Sequence, residues 1–130
     1  MTSEMEIRLE AADRVTAHWG SQVVATDQDG TAPAPFDLFL ASIGTCTGFY
    51  VSRFCRKRQI DPAGIRIVER VVSEPTTHRV ERVEIEIALP PDFPEHYREA
   101  VLRAAGQCAV TRQLEQPPAI RLALVAPARA

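Results

Sequence analysis

The alternation of apolar and polar residues sets out most of the elements of this chain. MEIRLE (5–10) alternates with a period of two, the mark of a strand with one buried face. VTAHWG (15–20) and SQVVAT (21–26) read as two further strands of weaker contrast, with Gly20-Ser21 as the hairpin turn between them. DQDGTAPAP (27–35) is a loop by composition. The period then changes. FDLFLASIGTCTGFYVSRFCRKRQ (36–59) is apolar almost all round at its centre and basic at its end, which predicts a helix buried in the middle of the fold. Pro35 stands just before it and Asp37 falls in its first turn, where a negative charge suits the helix dipole. Arg53, Arg56, Lys57 and Arg58 suit the opposite end. Gly44 and Gly48 weaken a helix, so their presence predicts close approach of another backbone or a ligand around Cys46.

Asp61-Pro62 and Gly64 make a turn. IRIVERVVSE (65–74) and HRVERVEIEIALP (78–90) are two long alternating strands joined as a hairpin through Glu74–Thr77. In the second, Val80, Val83, Ile85, Ile87 and Leu89 supply the apolar positions. PEHYREAVLRAAG (94–106) predicts an amphipathic helix that starts at Pro94 and stops at Gly106. QCAVTRQLE (107–115) predicts a second short helix, and AIRLALVA (119–126) a last strand. Strands, long helix, two strands, two helices and a strand make an α+β fold, not an alternating βαβ one. No repeat, low-complexity tract or linker interrupts residues 1–130, which read as one domain.

Composition narrows the function classes. The chain is 45% hydrophobic and 25% charged, as a soluble globular protein would be. Its net charge of −2 offers no field to draw nucleic acid or an anionic membrane. The run Arg56-Lys57-Arg58 is accounted for by the helix end and by solvation. No run approaches the roughly 20 apolar residues of a spanning helix, and MTSEMEIRLE is too acidic for a signal peptide. A cytoplasmic protein is expected, large enough to bury a core but set to gain from a partner subunit.

The chemistry rests on three cysteines, Cys46, Cys55 and Cys108. An odd number in a reducing compartment argues against a disulfide framework, and there is no CxxC. The nearest cysteines are nine residues apart and His18, His78 and His96 are scattered, so no metal site is expected. Nine residues rotate a helix by roughly 180°, so Cys46 and Cys55 face opposite sides, and Cys55 reads as a packing residue. Cys108 follows the Gly106 stop and opens the next helix, where free N–H groups stabilise a thiolate. Arg112, four residues on, shares its face. Cys46 lies about ten residues into its helix and gains nothing from that helix's start. If it reacts, an outside cation must help. Arg53 shares its face but stands two turns away, and Arg14 in the N-terminal hairpin is another candidate. Free cysteines usually only pack, so the residues alone leave both an inert pair and a redox pair open.

The stretch PAPFDLFLASIGTCTG resembles the central-helix signature of the OsmC/Ohr family, approximately P-x-[ED]-L-L-L-A-A-L-G-x-C-T in its OsmC-like members. Pro35, Asp37, Leu38, Leu40, Ala41, Gly44, Cys46 and Thr47 stand where that pattern wants them. Cys108-Ala-Val-Thr-Arg-Gln-Leu114 resembles the family's second cysteine motif, C-P-V-x-[KR]-x-L, with Ala109 in place of the proline. The resemblance implies an OsmC-like α+β fold, with antiparallel sheets around a long central helix that carries Cys46, in an intertwined homodimer. It further implies a thiol peroxidase. Cys46 would be oxidised by an organic hydroperoxide to a sulfenic acid, and Cys108 would resolve it as a disulfide that an external dithiol reduces, with no cofactor. In the peroxidase branch an arginine and a glutamate flank the reactive cysteine. Here the acidic place is held by Asp37, nine residues before Cys46 and pointing away on a straight helix. Two other readings share the fold: a non-catalytic binding protein with an apolar pocket at the dimer interface, and a redox sensor.

Overall fold

The computed structural model describes residues 1–126. Three strands, β1 (Glu6–Leu9), β2 (Val15–Trp19) and β3 (Gln22–Thr26), form an antiparallel sheet in chain order. The β2–β3 turn is the expected Gly20-Ser21 pair, closed with Trp19 opposite Gln22. Gly20 has a φ of 53°, the left-handed backbone that a two-residue hairpin turn asks of its first residue. Helix α1 (Pro35–Arg56) follows the loop. It starts on Pro35 itself, with Ala34 as an extended N-cap that offers no side-chain bond. It ends three residues sooner than the basic run suggests. Gln59 turns left-handed with a φ of 54°, and the Ile60 N–H bonds back to the Cys55 carbonyl at 2.9 Å.

Strands β4 (Arg66–Ser73) and β5 (Val80–Ala88) form a separate antiparallel hairpin, with an irregularity at Val72/Ser73. Its loop is built around Glu74, whose carboxylate accepts the Thr76 and Thr77 N–H groups at 2.9 and 2.5 Å. Those bonds hold the Glu74 carboxyl below the usual carboxylate range. The amphipathic segment after it is a 3-10 turn (Glu95–Tyr97) leading into α2 (Arg98–Ala105), stopped at Gly106 as predicted. Helix α3 (Ala109–Glu115) completes the order.

The core is small and lies between α1 and α2. Val51, Phe54 and Cys55 of α1 meet Phe93, Val101 and Ala105, with Ile67 and Ile87 of the hairpin packed on them. Cys55 is wholly buried there, so the turn that carries it is apolar on its inner side, not polar as its basic neighbours suggest. Arg58 closes the end of this core. Its guanidinium carbon lies 3.7 Å from the Phe54 ring centre and Nη1 donates to the Phe54 carbonyl at 3.1 Å.

Two expectations need correction. The long helix is not buried on every side. Only Ile43, Thr47, Val51, Phe54 and Cys55 are buried, while Phe36, Phe39 and Phe49 stay 54, 39 and 56% exposed. One chain of this size covers one face of such a helix and leaves the others bare. The segment 119–126 forms no strand with the described residues, and Ile120, Leu122, Leu124 and Val125 are 85–103% exposed. Its alternation has strand character, but among the described residues it pairs with neither the β1–β2–β3 sheet nor the β4–β5 hairpin, whose outer edges stay open.

Helix α1 is also apolar enough, over an 18-residue window of mean hydropathy 1.2, to cross a membrane by length and composition alone. The sequence pattern hides this because Ser42, Thr45 and Thr47 break the apolar run. Their hydroxyls fold back onto the helix, on the carbonyls of Phe39, Ala41 and Ile43 at 2.6, 2.8 and 3.0 Å. The polar groups are thus consumed internally and the helix is apolar in effect. In this fold its inner face is the floor of the protein core.

Candidate active site

At about 100° per residue, Phe39, Ile43, Cys46 and Tyr50 run along one flank of the buried stripe of α1, and Gly44 and Gly48 along the other. The two flanks meet different neighbours. On the glycine flank the Glu69 side chain of β4 crosses over Gly44, where a Cβ would overlap the Glu69 Oε1. The close approach predicted near Cys46 is therefore made by a side chain, and on the side away from the cysteine.

On the other flank stands Cys108. It is the N-cap of α3, 1% exposed, and set against α1. Its sulfur accepts the Thr111 N–H at 3.5 Å and its S–H points at the Ile43 carbonyl at 3.8 Å. Burial alone pushes the Cys108 thiol up. The hydrogen bonds from Thr111, then from Cys46 and the Val110 N–H, outweigh it and bring the thiol below its ordinary value. No charged group contributes to that balance. Cys55 goes the other way. Burial raises it, and Arg58 offsets only part.

Cys46 is half-buried and Cys108 buried. Beside them a cavity of about 480 Å³ is lined by Phe39, Ile43, Ile85 and Leu114, with Glu81 and Arg82 also in its wall. Neither cysteine lines it, but Ile43 and Thr111, the two residues that bond Cys108, both do. A larger hollow of about 680 Å³ surrounds Phe49, Arg53, Arg56 and Lys57, and neither cysteine lines it either.

The supporting residues named from sequence fall elsewhere. Asp37 is exposed in the first turn of α1, two and a half turns from Cys46, in the place a helix-start charge takes. Arg112 is exposed in the last turn of α3, and only its backbone N–H touches the motif, donating to the Cys108 carbonyl at 3.1 Å. Arg14 is paired with Glu10 at 3.2 Å within the N-terminal sheet. Arg53 lines the larger hollow. Among the described residues no hydrogen bond or ion pair joins an arginine to Cys46. No group of three His, Cys, Asp or Glu side chains among them is placed to hold a metal ion. Thr111 is the residue that sequence reading missed. Its signal was available in the spacing, three residues after an N-cap, where the backbone N–H meets the cap side chain.

Residues 27–123, which hold both cysteine motifs, match the family model described as OsmC-like protein. The chain belongs to the OsmC family. No curated protein matches it. Solved structures of the same fold include a Psychrobacter arcticus 273-4 protein named for osmotic stress induction and detoxification response. It has a TM-score of 0.70 at 22% identity, over 87% of this chain and 88% of that one. The OsmC like protein of Mycoplasma pneumoniae has a TM-score of 0.67 at 11% identity, over 90% and 89%. An OsmC-like hydroperoxide resistance protein from Jannaschia sp. CCS1 has a TM-score of 0.54 at 20% identity, over 94% and 91%. At these identities the likeness speaks for the mixed α+β fold with its antiparallel sheets and long helix.

Proposed function

We propose that this OsmC-family chain is a cysteine-based peroxidase for organic hydroperoxides. The observation that carries the reading is buried Cys108, whose S–H meets the Ile43 carbonyl of α1 three residues before half-buried Cys46, near a largely apolar cavity that Ile43 and Thr111 line. The Cys46 thiolate attacks the outer oxygen of the hydroperoxide, the O–O bond breaks, and the alcohol leaves with a proton. Cys46 becomes a sulfenic acid. The Cys108 thiolate then attacks the Cys46 sulfur, forming the disulfide and expelling hydroxide, which leaves as water. An external dithiol reduces the disulfide by exchange. The cycle needs no cofactor. Membership in a family with hydroperoxide resistance proteins supports the reading, and a cytoplasmic setting would keep the thiols reduced.

The same reading includes a homodimer. Phe36, Phe39 and Phe49 on α1, and Ile120, Leu122 and Leu124 beyond α3, are more apolar surface than a monomer of this size normally leaves bare. A second copy would cover them. The test is consumption of cumene hydroperoxide with dithiothreitol as reductant, set beside hydrogen peroxide. Faster turnover of the organic peroxide is expected, and equal or absent turnover would overturn the assignment. A second reading, a binding protein or redox sensor on the same fold, is favoured by one observation. No arginine contacts Cys46 within the described residues. Oxidation without cycling would select it.

A further inference from the structure

We propose that the hollow between the C-terminal half of α1 and the α2–α3 link binds a small organic dianion, a phosphate monoester or a dicarboxylate. The hollow holds about 270 Å³, and Arg53, Lys57 and Arg58 line it together with Tyr50, Ala104 and Gln107. The site stands apart from the cysteine pair and does not rest on the peroxidase reading.

The end of α1 explains why cations stand here, since about half a unit of negative charge gathers at a helix C-terminus. Three cations converging on one hollow exceed that need. Elsewhere Arg8, Arg14, Arg70, Arg82 and Arg98 each meet a glutamate. Among the described residues no ion pair joins Arg53, Lys57 or Arg58 to a carboxylate, and no carboxylate lines the hollow. A hollow of about 450 Å³ at the β4–β5 loop is the contrast, with Arg79 set beside Glu74 and Glu81. Arg58 is also fixed in place. Its guanidinium carbon lies 3.7 Å from the Phe54 ring centre and 5.3 Å from that of Tyr97, and Nη1 donates to the Phe54 carbonyl. One donor of the fork is spent there, and the others remain for a ligand. A guanidinium held by two rings and a backbone carbonyl has already given up its rotamer freedom, so it takes an oxyanion at less entropic cost than a free chain. The Gln107 amide and the Tyr50 hydroxyl add uncharged donors. The volume falls at the low end of small-molecule sites, roughly 300–1,000 Å³, and calls for a small ligand. At about 1.5 Å per residue, Tyr50 stands about 6 Å along α1 from Cys46 and Lys57 about 16 Å. The charged head therefore binds at the end far from the cysteine, and the organic part lies towards Tyr50.

The test is isothermal titration of phenyl phosphate, phthalate and the monoanion benzenesulfonate into the reduced full chain, at low ionic strength and above the second phosphate pKa of about 6. At least one dianion is expected to bind at one site per chain, about tenfold tighter than benzenesulfonate, and the tighter of the two names the head group. Arg58→Gln is expected to weaken it about tenfold and Lys57→Gln severalfold. Arg79→Gln removes the same charge from another face and is expected to leave binding unchanged. Arg58 also closes the core, whereas Lys57 is exposed, so Lys57→Gln keeps the test free of any loss of folding. The proposal is overturned if neither dianion binds saturably at millimolar concentration. It is overturned equally if benzenesulfonate binds as tightly as both, or if Arg79→Gln loses as much as Lys57→Gln.

Discussion

Gly44 and Gly48 sit one turn apart on α1, and replacing each by alanine separates helix propensity from contact. In a helix interior Gly→Ala is worth about 1 kcal/mol to the folded state. At Gly48 the added Cβ meets only the Ile67 Cδ1 at 3.9 Å, an ordinary contact, so Gly48→Ala keeps the whole gain. At Gly44 the three nearest atoms all belong to Glu69: Oε1 in overlap, Cδ at 3.4 Å and Cβ at 3.8 Å. The carboxylate is the end of a flexible, half-buried side chain and can swing away. Leaving its rotamer costs about 0.5–1.5 kcal/mol, which roughly cancels the propensity gain. Gly44→Ala alone should therefore change stability by little. In a Glu69→Ala background only the Cβ at 3.8 Å remains, and Gly44→Ala should recover about 1 kcal/mol. The coupling in the double-mutant cycle is thus about 1 kcal/mol, read by urea denaturation of the reduced protein at one fixed concentration. A Gly44→Ala gain equal to that of Gly48→Ala, with no coupling to Glu69, would refute the crossing of Glu69 over α1.

Val101 is 1% exposed among Phe54, Cys55 and Phe93, so Val101→Ala should cost about 2–3 kcal/mol through two lost methyls and the space they leave, measured as a fall in the urea midpoint at unchanged slope. The pH dependence follows from Cys108. Its folded thiol lies below the unfolded value, so its stabilisation is fully present above the unfolded thiol range and is lost as pH falls through the folded value. The stability advantage of reduced wild type over Cys108→Ser should grow as pH rises towards the ordinary thiol range, and a flat difference would contradict the hydrogen-bonded thiolate. Cys55, raised by burial, acts with the opposite sign in both proteins and cancels in the comparison. Phe49→Glu places a charge on the bare face of α1. Sedimentation should show a loss of dimer, whereas a variant that stays dimeric puts the contact elsewhere.

The elements of this fold were legible because their patterns are local. Pro35, Gly106 and the Gly20-Ser21 turn mark boundaries by backbone chemistry that no tertiary contact overrides. The strand character of β4 and β5 is carried by Val and Ile at every second place. What failed was whatever depended on neighbours. The last segment had its alternation but pairs with no strand among the described residues. For the site, Cys108 was correctly read as opening its helix. The supporting charges were not legible. Asp37 and Arg112 were chosen by position along a motif, and side-chain direction left both in solvent. Thr111 and the Ile43 carbonyl escaped because one donates through its backbone and the other belongs to a distant helix.

The most direct test of the account is a thiol count on the reduced protein after a brief exposure to cumene hydroperoxide, with intact mass, for wild type, Cys46→Ser and Cys108→Ser. The account predicts that wild type loses two thiols and two mass units, with Cys55 still reduced. Cys108→Ser should gain one oxygen at Cys46 and go no further, and Cys46→Ser should stay unchanged. Wild type that keeps all three thiols at millimolar peroxide, or Cys46→Ser that oxidises as fast as wild type, would contradict the claim that Cys46 and Cys108 act as a peroxidatic pair.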